Sequence, residues 1–267
     1  GQKKGTRGKK KSNKANAQWT IVPCEPGEVS IYFPAEKETS NLRFHVHAPF
    51  ASTVARDSIR ECEANEELRN ALAQLTAEAL SDIRDRGLLT MSLLAVLPNE
   101  DDNLPEFYEP LRTSIVRAFQ NDKLMPTKNG SYLKTGDLYQ GPAEISSVID
   151  DNDLSYLTNV DARLWAANAP QKGQREDKFV DSLEIDQWAW TQLSNTIKQT
   201  SEDEKEKIRF EKWISEKRDN WMTRFYALME SCHENTMRTY EEGDLVEGWG
   251  DLNAIRVTDR KGSSKHT

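Results

Sequence analysis

The sequence predicts a mixed α/β chain of the α+β kind, a small strand-and-helix unit followed by mainly helical segments with short β-hairpins. Three observations predict it. Residues 29–33 (VSIYF) and 42–48 (LRFHVHA) alternate apolar and polar side chains strictly, the period of a half-buried strand. From Asn65 onward apolar residues recur three or four positions apart over long stretches, the period of an amphipathic helix. Asn129-Gly130 stands between short apolar runs, and both residue types tolerate the positive φ that a hairpin turn needs.

In chain order, residues 1–18 read as a basic disordered tail or linker, 19–100 as the strand-and-helix unit, and 101–267 as a helical and hairpin region truncated at its C-terminus. Val29, Ile31 and Phe33 share the buried face of the first strand, and Leu42, Phe44 and Val46 that of the second. Thr39-Ser40-Asn41 supplies the turn between them. Leu68, Leu72, Leu75, Ala79 and Ile83 then form a helical stripe, with Glu66 and Glu67 favourable in the first turn and Gly87 as terminator. Residues 88–98 read as a short buried helix stopped by Pro98, and after a polar loop the next helix carries Phe107, Leu111, Ile115 and Phe119. Tyr132 and Leu133 begin the return strand of the Asn129-Gly130 hairpin. Residues 143–157 resume helical spacing, whereas 165–179 are polar and show no single period. The final third is mostly helical, marked by Phe210, Trp213, Ile214, Trp221, Phe225 and Leu228. Residues 254–257 form a short strand running into a charged turn at Lys261-Gly262.

A chain of 267 residues that is 36% hydrophobic can bury a sizeable core as one large domain or two smaller ones. With a mean hydropathy of −0.78 it has no apolar run near the roughly 18 residues of a membrane span. Cys24, Cys62 and Cys232 are odd in number and widely spaced, which fits a reducing, cytoplasmic setting better than a disulfide framework. The chain begins at Gly1 without the apolar core of a signal peptide, so its start reads as internal to a larger protein. Net charge is −8, yet residues 1–14 carry six lysines and Arg7 with no acid. Such a run is a solvated segment or a nucleic-acid-binding arm.

Few residue groups suggest chemistry. His45 and His47 share a strand face and could hold a metal with Cys62 as the nearest soft ligand, but polar residues on the outer face of a strand need no ligand. Asp150-Asp151-Asn152-Asp153 has part of a calcium loop without its sixth-position Gly or distal Glu, and reads as a helix-capping turn. Glu176-Asp177-Lys178 has the residue types of a nuclease cluster but no preceding strand. A metal-dependent hydrolase would rest on these groups alone, and the reading assigns no catalytic or metal-binding residue. GxxxxGK[ST], GxSxG, HExxH and a GxGxxG after a strand are all missing.

Residues 33–59, FPAEKETSNLRFHVHAPFASTVARDSI, resemble the strand-turn-strand motif that follows the ATP site in sacsin and its bacterial relatives, large proteins with a GHKL-type, histidine kinase-like ATPase. Phe33-Pro34, Glu38-Thr39, the strand 42–48 and Arg56-Asp57-Ser58-Ile59 take the places of the family pattern. Residues 124–139 (LMPTKNGSYLKTGDLY) and 221–229 (WMTRFYALM) resemble two further family segments. The resemblance implies a small transducer-like unit and a coupling role: the middle region of a chaperone-like ATPase that relays nucleotide state to a protein partner or client. It implies Arg56 as a contact to the terminal phosphate of ATP. The Asn-bearing helix and Asp-x-Gly-x-Gly segment that hold Mg-ATP in the superfamily are missing here, so ATP and Mg are expected in an upstream domain of the parent protein, with no cofactor bound by this chain alone. The alternative is a nucleic-acid-binding module of a defence or repair system that uses the basic tail.

Overall fold

The computed structural model describes residues 19–237, together with Leu252, Ala254, Arg256–Thr258 and Ser264–His266. The class is mixed and mainly helical, with short strands confined to two-stranded ribbons. Residues 1–18 and the turn at Lys261-Gly262 lie outside the described residues.

The N-terminal strands β1 (Val29–Ser30) and β2 (Val46–His47) are shorter than the alternation predicts, and they pair in parallel, Val29 against Val46. The reason is a tight fold-back after Ser30. Ile31 N–H donates to the Phe33 carbonyl and Ala35 N–H to that of Val29, so the chain cannot run on as a strand. The alternation survives as burial: Val29, Ile31, Leu42 and Val46 are interior, while Phe33 and Phe44, expected with them, are half-buried.

Helix α1 (Glu63–Asp85) ends as its Gly87 predicts. Gly87 N–H donates to Arg84 and Leu88 N–H to Ile83, at 2.8 and 3.0 Å, with Gly87 at φ +71°, a Schellman cap. Its predicted stripe is only partly interior. Ala73 and Leu80 are buried, whereas Leu75 is 61% exposed. Helix α2 (Glu109–Asn121) packs along α1 and buries Leu111, Ile115, Ala118 and Phe119; the predicted Phe107 lies in the 3-10 turn ahead of it. The buried helix expected at 88–98 is a single 3-10 turn, Met91–Ala95.

The Asn129-Gly130 hairpin forms as predicted, β3 (Met125–Pro126) antiparallel to β4 (Tyr132–Leu133). Residues 143–157 divide into α3 (Ala143–Val148) and α4 (Asp151–Thr158). The aperiodic stretch contributes β6 (Leu164–Trp165), parallel to β5 (Leu138–Tyr139), and the start of α5 (Arg175–Asp181). Helices α6 (Trp190–Glu202), α7 (Glu204–Ser215) and α8 (Asp219–Met237) follow, and β7 (Arg256–Thr258) pairs antiparallel with β8 (Ser264–His266).

Among the described residues three apolar cores run along the chain. The first joins β1 and β2 to Leu104, Tyr108 and Leu111; the second joins Leu80 and residues 89–97 to α2 and α5; the third gathers Trp165, Trp188, Phe210, Ile214 and Phe225. Among the described residues no helix is long and apolar enough to cross a membrane.

Candidate functional site

Residues 51–60 form a narrow loop whose tip carries Arg56. Ser52 bridges Ile59, Thr53 N–H donates to the Ser58 carbonyl at 3.0 Å, and Arg56 N–H donates back to Thr53 at 3.0 Å. That closure leaves Arg56 in the left-handed region, φ +60°, which a side chain with a Cβ adopts at a cost. Val54, beside it, is fully exposed.

The base of the loop is held from two sides. Asn65, fully buried in the first turn of α1, accepts from Ala51 N–H at 2.7 Å and donates to the carbonyls of Ala51 and Arg60 at 2.8 and 2.6 Å. Glu38 accepts from Ile59 N–H and from the buried Tyr108 hydroxyl, both at 3.0 Å. Burial, and then the Glu38 carboxylate, push the Tyr108 phenol far above its usual range. Lys37 pairs with Asp57 at 2.7 Å, and Thr53 Oγ1 donates to the same carboxylate at 3.0 Å. Those hydrogen bonds, Lys37's first, hold Asp57 below the ordinary carboxylate range. Asp57 is therefore already engaged. The Arg56 guanidinium lies over the Phe33 ring, 5.9 Å from its centre, and no hydrogen bond or ion pair to described residues uses its N–H groups.

His45 and His47 both face a cavity of about 380 Å³ between β2 and α1. Apart from Thr76 its other walls are apolar: Leu72, Leu75, Ala79 and Ile83 of α1 face Phe44, Leu93 and Val96. His45 meets Cys24 rather than Cys62. Its Nδ1 accepts from Glu28 N–H at 3.0 Å, which leaves Nε2 to carry the proton toward Cys24 Sγ at 3.2 Å. Among the described residues no three metal-ligating side chains gather.

The acidic run caps a helix. Asp150 accepts from Asp153 N–H at 2.9 Å, Asp151 from Trp165 N–H at 2.9 Å, and Asp153 takes Lys217 and the Trp221 indole N–H. Glu176-Asp177-Lys178 lies on α5, where Asp177 accepts from Gly173 N–H and Lys178 pairs with Asp101. Asp150, Asp151, Asp153 and Asp177 are thus engaged by neighbouring backbone and side-chain donors. Sequence reasoning missed Asn65 and the Cys24–His45 contact. An Asn in the first turn of a helix, where its propensity is poor, was the one available signal for Asn65.

Compared with protein-family models, curated proteins and solved structures, the chain gives no significant match.

Proposed function

We propose that this chain is the coupling, middle region of a sacsin-like GHKL ATP-binding protein, and that Arg56 is the residue through which it senses nucleotide. The observation that supports this is an unspent guanidinium on the exposed tip of a loop buttressed by Asn65, Glu38 and the Lys37–Asp57 pair. Five N–H donors in a planar fork suit phosphate oxygens, which a lysine at the same place would meet only as a point charge. Bound Mg-ATP in an upstream domain would supply the scissile phosphoryl group. This chain's part is to present Arg56 to it and to move with it, so that domain orientation follows nucleotide state.

The test is Arg56→Ala and Arg56→Lys in the complete parent protein, with ATP affinity and turnover measured separately. A contact made chiefly in the transition state predicts turnover lower by on the order of a thousandfold, with affinity nearly unchanged and no rescue by lysine. Wild-type turnover in both variants would refute the assignment. The nucleic-acid alternative rests on the basic tail and predicts binding that weakens steeply with salt and vanishes when residues 1–14 are deleted.

A further inference from the structure

A second cleft, built from other residues than the Arg56 loop, lies between α4, α6 and the start of α7 and encloses about 380 Å³. One wall is the outer face of α6, where Gln192, Asn195 and Gln199 follow one another at helical spacing. Gln192 has its carbonyl oxygen taken by Ala189 N–H at 3.0 Å, which fixes the side chain and leaves its NH₂ without a partner among the described residues. The carboxamides of Asn195 and Gln199 make no hydrogen bond to described residues. Tyr139 and Trp188 form an aromatic floor.

The opposite wall is charged but self-neutralised. Arg209 donates to Glu206 at 2.9 Å, to the Tyr156 carbonyl at 3.1 Å and to Asn159, and it stacks 4.3 Å above the Tyr156 ring. Tyr156 in turn stacks on Trp213 at 4.7 Å. Neither the guanidinium nor the carboxylate is left over for a ligand ion, so the chemistry on offer is amide and aromatic. A carboxamide both donates and accepts, as a peptide group does. Along a helix, Asn195 and Gln199 stand about 6 Å apart at ~1.5 Å per residue. In an extended chain, peptide groups facing one way repeat every ~6.6 Å. The two spacings agree closely enough for each amide to meet one such group.

We propose that this cleft binds an extended, uncharged stretch of polypeptide through its main chain, with Asn195 and Gln199 reading alternate peptide groups and the aromatic floor receiving an intervening side chain. The inference is independent of the Arg56 reading and stands or falls without it.

The experiment uses the full chain and fluorescently labelled reduced, carbamidomethylated lactalbumin, a permanently unfolded polypeptide whose blocked thiols carry no added charge, followed by anisotropy in salt concentrated enough to screen the lysines of residues 1–14. Asn195→Ala/Gln199→Ala is expected to lower affinity at least about tenfold, since two main-chain contacts are lost, and wild-type binding should change little with salt. Both positions are exposed and alanine favours helix, so an unchanged thermal midpoint certifies the fold. Leu75→Ser in the apolar cavity beside His45 should leave binding intact. The proposal is overturned if the wild type does not bind, if the double variant binds as well as wild type, if only Leu75→Ser weakens binding, or if native lactalbumin competes equally.

Discussion

Asn65 and Arg56 make opposite kinds of contribution to the same loop. Asn65 spends its whole carboxamide on three backbone groups, so Asn65→Ala takes the partner from Ala51 N–H and from the Arg60 carbonyl, while the Ala51 carbonyl keeps Arg60 N–H at 2.9 Å. The expected loss is about 2–4 kcal/mol, read by urea denaturation. Arg56 spends a strained backbone on an exposed side chain. Arg56→Gly, with φ +60° retained at no steric cost, should leave stability equal to wild type or higher by up to about 1 kcal/mol while abolishing any function of the guanidinium. A marked fall in stability would show that Arg56 is there for the fold. The thiols separate in the same residue-by-residue way. Cys24 and Cys62 are half-buried, and burial pushes Cys232 up to about 11, so a thiol reagent should titrate two cysteines in the native protein and the third only on unfolding. Arg56 could be named from the sequence only through the family resemblance; its left-handed backbone and a guanidinium without a hydrogen bond or ion pair to described residues could not, because both depend on what Thr53 and Asp57 bond to.

At the scale of elements, the sequence signals that held are those read by the backbone itself. Gly87 and Asn129-Gly130 act within a few residues, where local φ decides the outcome. Signals that depend on a distant partner fared differently. Alternation in 29–33 and 42–48 correctly marked an inner and an outer face, yet the parallel pairing follows from the fold-back at 31–35, which alternation does not encode. Gly27 shows how close that pairing is: a Cβ there would lie 2.4 Å from the carbonyl oxygens of both Leu42 and Phe44. Gly27→Ala must therefore separate two backbone segments, and a loss of about 2–3 kcal/mol is expected in chemical denaturation. The C-terminal carbonyls of α3 depend on distant partners too. Those of residues 146–149 receive Lys128, Arg224, the Trp221 indole and the Trp165 indole in turn, which answers the unpaired acceptors of a helix end with side chains from three other segments.

Across the whole molecule, the second core is locked by Arg175 of α5, which grips Asp102 through two bonds of 2.6 and 2.7 Å and also donates to the carbonyls of Ala95 and Leu97. Burial works against ionisation of Asp102, but the Arg175 hydrogen bonds prevail and hold its carboxyl below the usual range. A depressed carboxylate stabilises the fold fully above its unfolded value, near pH 4, and the contribution fades as pH falls through the folded value. Asp102→Asn should therefore cost about 2–3 kcal/mol at neutral pH, and its stability should fall less steeply than wild type below roughly pH 4. Purified on its own, the chain is expected not to hydrolyse ATP above a mock preparation, with or without Mg, because it carries none of the nucleotide-cradling motifs. What the sequence determined by itself is the mixed, mainly helical class, the positions of most helices, the helix stop at Gly87 and the hairpin at Asn129-Gly130, since periodicity and turn chemistry act over a few residues. Tertiary structure alone decided which apolar stripes are interior, leaving Leu75 exposed, and which polar groups meet: Asn65 with the loop base, His45 with Cys24, Arg175 with Asp102. Those pairs are separated by up to 73 positions, and a contact at that range is fixed by how cores pack rather than by any local pattern of residues.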